Sequence, residues 1–81
     1  MEIVFDEKAI KDLKNLPKNT IIKIKSKIEL LKKFPETPNI KKLTNFHPPY
    51  RLRVNDYKVL FDIENNIMTI YGIKHRKESY K

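Results

Sequence analysis

The chain has 81 residues, no cysteine and a formal net charge of +8, with 40% hydrophobic and 35% charged residues; that suits one modest intracellular-type core and excludes a disordered tail, a disulfide scaffold and a thiolate zinc site. No apolar run approaches the roughly 18 residues of a membrane span, and the first residues lack a secretory signal's basic start. His47 and His75 are too far apart in sequence for an all-histidine metal site, so the expectation is a single cytoplasmic domain over residues 1–81 with no metal, no cofactor and no membrane partner.

Ile3-Val4-Phe5 reads as a short first strand. Asp6 then has the position of a helix N-cap, with Phe5 before it and Ile10 four residues after it spaced for a hydrophobic staple. Ala9, Ile10, Leu13 and Leu16 supply the apolar stripe of this first helix, and Pro17 interrupts it. A second helix restarts at Lys18-Asn19-Thr20, carries Ile21, Ile24, Ile28 and Leu31 at i, i+3, i+7 and i+10, and stops at Pro35. The outer face of the helical hairpin holds Lys18, Lys23, Lys25, Lys27, Lys32 and Lys33 against the single acid Glu29. A solvated face and an RNA-facing surface explain that imbalance about equally well.

Residues 36–49 hold three of the five prolines and read as an irregular connection, with Ile40 and Leu43 pinning it to the core. The period then changes from 3.6 to 2. Tyr50-Arg51-Leu52-Arg53-Val54, a turn at Asn55-Asp56, and the run from Tyr57 to Ile63 form a hairpin. A second turn at Glu64-Asn65-Asn66 leads into a last strand from Ile67 to Ile73, followed by a basic tail. The expected fold is α+β: an N-terminal helical hairpin packed on one face of a four-stranded, mostly antiparallel sheet whose other face stays open.

Strand alternation puts Leu52 and Val54 on one face of that sheet, and Arg51 and Arg53 on the other. The turn pairs Arg53 with Lys58, with Arg51 diagonal to the same lysine. Like charges directly opposite on a sheet cost about 0.2–1 kcal/mol. A chain selected for stability alone would place Glu or Thr at one of these positions, so three cations on an uncovered face call for an anion; Asp62, on the face of Lys58, would neutralise part of the charge. Cation type sharpens the point. Fifteen of the eighteen cations are lysine, and all three arginines, Arg51, Arg53 and Arg76, lie beyond Tyr50. Arginine suits planar, two-pronged phosphate contact.

The order of one strand, a helical hairpin, Lys42-Leu43, the hairpin YRLRVNDYKVLF and the tail HRKESY resembles RelE-type toxins of the RelE/ParE toxin–antitoxin superfamily over nearly the whole chain. The resemblance implies a RelE-like fold and a metal-independent mRNA endoribonuclease. Such an enzyme works in the A site of the small ribosomal subunit, inhibits translation, and is held inactive by a cognate acidic, RelB-like antitoxin. It also implies roles: Arg51 and Arg53 as catalytic cations before the turn, Lys58 where the family usually has arginine, Arg76 as its C-terminal arginine and Tyr80 as its terminal tyrosine. Lys74 and Lys77 join the helical lysines as RNA contacts.

RNA cleavage needs the 2′-hydroxyl deprotonated, the phosphorane's charge stabilised and the leaving 5′-oxygen protonated. Arginine is a poor proton carrier, so Arg51, Arg53 and Arg76 are stabilisers. Lys58, and Tyr80 if it folds over the site, are the candidate proton carriers, because neighbouring positive charge favours the deprotonated form of each; Tyr80 could instead stack on a base, and His75 is the alternative acid or base. The sequence shows no carboxylate–histidine pair of the kind standalone nucleases use, in keeping with an enzyme that needs the ribosome to position its substrate. Two readings remain beside it: a ParE-like inhibitor of DNA gyrase on the same fold, and a catalytically weak antitoxin-docking or nucleic-acid-binding module.

Overall fold

The computed structural model describes residues 2–33 and 40–75. Strand β1 (Glu2–Phe5) leads into helices α1 (Glu7–Lys14) and α2 (Lys18–Leu30), a 3₁₀ turn (Leu31–Lys33), and then strands β2 (Ile40–Lys42), β3 (Tyr50–Val54), β4 (Tyr57–Glu64) and β5 (Ile67–His75). The strands form one sheet in the order β1-β5-β4-β3-β2, with β1 parallel to β5 and every other pairing antiparallel. The architecture is the expected helical hairpin on one face of a mostly antiparallel sheet, with five strands instead of four. The extra strand is β2, which lies in the stretch read as irregular: Ile40 pairs with Leu52, Lys41 with Arg51 and Lys42 with Tyr50. Only three residues long and carrying two lysines, it has no run of alternating residues for sequence reading to detect.

The Asp6 side chain caps α1 by accepting from the Lys8 backbone N–H at 3.2 Å. Ala9 and Leu13 are buried as expected, but Ile10 is 43% exposed. The eight-residue helix has room for one narrow stripe, and its sheet-facing side is completed by Asp12. From α2 the residues Ile24, Ile28 and Leu31 are buried against Leu52, Val54, Val59, Phe61, Met68 and Ile70. Burying an aliphatic side chain of this size contributes roughly 1.5–3 kcal/mol, so this layer fixes which sheet face is covered. Asparagines make the tight turns: Asn55 has φ 54°, and Asn65 and Asn66 have 51° and 63°, conformations asparagine tolerates better than most residues.

The register contains one irregularity that matters for the site. From Glu64↔Ile67 to Phe61↔Ile70 the β4–β5 pairing is regular; it then resumes at Leu60↔Gly72, leaving Tyr71 without a partner in β4. An uninterrupted ladder would set Lys58 against Ile73, and Lys74 against Tyr57 on the covered side. The extra residue shifts the alternation, so Lys74 pairs with Lys58, and Ile73, 5% exposed, pairs with Val59 in the core. Asp12 holds this bulge from α1: its Oδ2 accepts the Ile73 backbone N–H at 2.9 Å. Close by, a β-carbon on Gly72 would lie 3.3 Å from that same Oδ2 and 3.5 Å from Lys8 Nζ, so the approach of helix to strand depends on the missing side chain. Among the described residues no helix is long and apolar enough to cross a membrane.

Candidate nucleic-acid interface

On the uncovered face, β3, β4 and β5 set Arg53, Lys58 and Lys74 directly opposite one another in one row. The pairing of Arg53 with Lys58 is the one the hairpin register predicts; Lys74 is added by the bulge. Behind this row Arg51 pairs with Leu60 on one side and Lys41 on the other. Five cations thus share one face of four adjacent strands. Like charges at neighbouring positions repel by about 0.2–1 kcal/mol per pair, and in one place such an array makes an anion-binding surface. Arg53 is exposed, whereas Lys58 and Lys74 are half-buried along their stems.

Arg51 is held more tightly. Its Nη1 donates to the Pro48 carbonyl at 2.6 Å and to the Tyr50 carbonyl at 3.3 Å, and burial lowers its pKa from the ordinary arginine value. The guanidinium keeps its charge at neutral pH, and these two bonds leave its Nε and Nη2 donors over. Asp62 shares the face of Lys58, but its oxygens are engaged with other groups. Oδ1 accepts the Ile63 N–H at 2.8 Å, and Oδ2 lies 3.6 Å from Nε2 of His47. The His47 ring also meets Tyr71 edge-on, with centroids 5.3 Å apart. A carboxylate–histidine pair is therefore present, contrary to the sequence reading. A loop and a strand fifteen residues on bring it together, which no local pattern reveals.

His75, read as an acid or base of this site, stands elsewhere. It pairs with Tyr57 and packs edge-on against it, centroids 5.1 Å apart, on the side of Val54 and the core. The alternation that turns Lys74 toward the cation row turns His75 away from it. Arg76, Lys77 and Tyr80 lie outside the described residues. Lys23, Lys25 and Lys27 of α2 and Lys32 of the 3₁₀ turn line two grooves. Lys23 and Lys27 line one of about 510 Å³ together with Ile22, Ser26, Arg53 and Asn55, so they extend the cation row around the sheet edge. Lys25 and Lys32 line the other, of about 490 Å³, beside β1, where Lys32 pairs with Glu29 at 2.9 Å. Lys33 is exposed at the end of the 3₁₀ turn. Lys41, His47 and Tyr71 are the members of this face that sequence reading missed, whereas Asp62 stands where strand alternation puts it. Lys41 depended on β2, and Tyr71 on the bulge.

A protein-family description, the ParE toxin of type II toxin–antitoxin systems (parDE), matches residues 3–80. Toxin RelE3 of Methanocaldococcus jannaschii is 29% identical over 88 residues, covering 99% of this chain and 96% of that protein. RelE1 of the same organism is 34% identical over 80 residues, covering 93% of this chain and 89% of the relative. Among solved structures, the RelB–RelE antitoxin–toxin complex from Methanococcus jannaschii superposes with a TM-score of 0.77 at 29% identity, covering 95% of this chain and 94% of the other.

Proposed function

Starting from a chain that belongs to the RelE-type toxins of the RelE/ParE superfamily of type II toxin–antitoxin systems, we propose that it is a ribosome-dependent endoribonuclease. It cleaves mRNA in the ribosomal A site in the cytoplasm and is restrained by an acidic RelB-like antitoxin. The observation that carries this reading is the row Arg53–Lys58–Lys74 on an uncovered sheet face. An array that costs stability is retained when a phosphodiester occupies it.

The chemistry follows from side-chain types. Arg51 and Arg53 stabilise the charge that develops on the phosphorane oxygens; as guanidiniums they bind without exchanging protons. Lys58 is an ammonium on a rigid strand and can protonate the leaving 5′-oxygen. Lys74 and Lys41 hold flanking phosphates, and Lys23 and Lys27 continue the path along α2. Arg76 and Tyr80 complete the set as the family resemblance has them. An acidic antitoxin segment laid over the same face supplies carboxylates in place of phosphates, which accounts for inhibition by occupancy; the similar RelE chain from M. jannaschii is found in a complex with RelB.

Mapping mRNA 5′ ends on translating ribosomes after induction tests the proposal. Cuts within codons that vanish in Arg53→Ala are expected. A gyrase-directed activity is the second reading, favoured by the ParE description of the matching family. DNA damage with intact mRNA would establish it and overturn ribonuclease action.

A further inference from the structure

Lys58 is read above as giving a proton to the leaving oxygen, and RNA cleavage also needs a group that takes one from the 2′-hydroxyl. We propose that His47, positioned by Asp62, is the general base of the reaction; the inference rests on the ribonuclease reading above. The geometry is specific. His47 Nε2 faces Asp62 Oδ2 at 3.6 Å, and the Tyr71 ring stands against the imidazole edge. The loop that carries His47 is tied down on its C-terminal side: Arg51 Nη1 binds the Pro48 carbonyl at 2.6 Å, and the Leu43 N–H binds the Pro49 carbonyl at 2.8 Å. The backbone next to His47 is thus tied to Arg51.

Register places it on the correct side. Arg51 pairs with Leu60, so Lys58 and Asp62 are its two diagonal neighbours, one in each direction along β4 and each about 7–8 Å away. In an in-line displacement the attacking 2′-oxygen and the leaving 5′-oxygen occupy opposite apices of the phosphorane. A phosphate on Arg51 then has the His47 imidazole toward one apex and the Lys58 ammonium toward the other. With Nε2 turned to Asp62 Oδ2 at 3.6 Å, Nδ1 is the ring nitrogen left to take a proton. The 2′-hydroxyl proton passes to Nδ1 as the 2′-oxygen–phosphorus bond forms. The phosphorus–5′-oxygen bond breaks, and Lys58 gives that oxygen its proton. The products are a 2′,3′-cyclic phosphate and a 5′-hydroxyl. Among the described residues, the charged or titratable groups on this face around His47 are Asp62 on β4, Tyr71 on β5, Arg51 on β3 and Lys41 on β2.

The test is single-turnover cleavage of mRNA on programmed ribosomes between pH 5 and 9. Wild type should show a rate that climbs with pH and then levels, as a base that acts only when unprotonated requires. His47→Gln should cut about 10²–10⁴-fold more slowly, with that limb gone. Asp62→Asn should lose less rate than His47→Gln, because it loosens the seat of the imidazole without removing the ring. Exogenous imidazole should partly restore His47→Ala, a rescue that a merely structural histidine would not give. His47→Gln that cuts at the wild-type rate, or slowly with the limb intact, overturns the inference and leaves the cation row standing. Asp62→Asn that cuts at the wild-type rate removes Asp62 from the mechanism. Wild type that cuts nothing sinks this inference and the ribonuclease reading together.

Discussion

Replacing Asp12 with alanine removes the acceptor that α1 presents to the β5 bulge. The Ile73 N–H then loses a 2.9 Å bond to a carboxylate that is itself only 25% exposed. A charge-assisted bond of this kind contributes about 1.5–3 kcal/mol, and a buried donor left alone costs about 1–3 kcal/mol. Two smaller effects nearly cancel. Alanine is the better helix former by about 0.5 kcal/mol, and the 3.6 Å pair with Lys8, 60% exposed, contributes about 0.3 kcal/mol. The net loss is about 2 kcal/mol, or a fall in Tm of about 8–16 °C for a domain of this size. Urea titration followed by circular dichroism measures it. Asp12→Asn keeps an oxygen acceptor without the charge and should lose about half as much. An Asp12→Ala protein within about 0.5 kcal/mol of wild type would show that the bulge, and with it the position of Lys74, is fixed by something other than α1.

Three further outcomes are expected. Lys74→Gln relieves one like-charge pair with Lys58 and should raise stability by about 0.5 kcal/mol at low salt, a gain that fades by 1 M salt where the screening length is about 3 Å; denaturant titrations at both salt levels check it. Gly72→Val forces methyl groups into the space of Asp12 Oδ2 and Lys8 Nζ and should cost about 1–3 kcal/mol in the same titrations. Binding of single-stranded RNA should weaken with salt with a log–log slope of about −2 to −3.5, and Arg53→Ala should flatten it by about 0.7, as measured by fluorescence anisotropy.

The parts of the fold written in short-range patterns were legible in the sequence. The stripe Ile21, Ile24, Ile28 and Leu31 defines the buried side of α2, and the alternation around Arg51 and Arg53, with a two-residue turn, yields the Arg53–Lys58 pairing that the structure contains. What escaped depends on contacts between distant segments. Strand β2 forms because β3 offers it an edge, not because Ile40-Lys41-Lys42 favours a strand. Ile10 carries an apolar side chain at a helical position that the short α1 turns outward. The bulge at Tyr71 interrupts a run in which the lone glycine, Gly72, is its one local signal, and it decides that Lys74 and not Ile73 stands beside Lys58. His47 and Asp62 meet through a loop closure between Leu43 and Pro49 that composition alone reads as irregular.

The central claim is that mutually repelling cations on the bare sheet face act together on one phosphodiester. Purified protein, mRNA-programmed ribosomes and a single-turnover quench test it most directly, with Arg51→Ala, Arg53→Ala and Lys58→Gln compared against wild type of equal folded fraction. The account expects wild-type cleavage in the A site leaving a 2′,3′-cyclic phosphate end, and a loss of at least about 10²-fold in each variant. Wild type that leaves the message whole, or variants that cut it as fast, would contradict it.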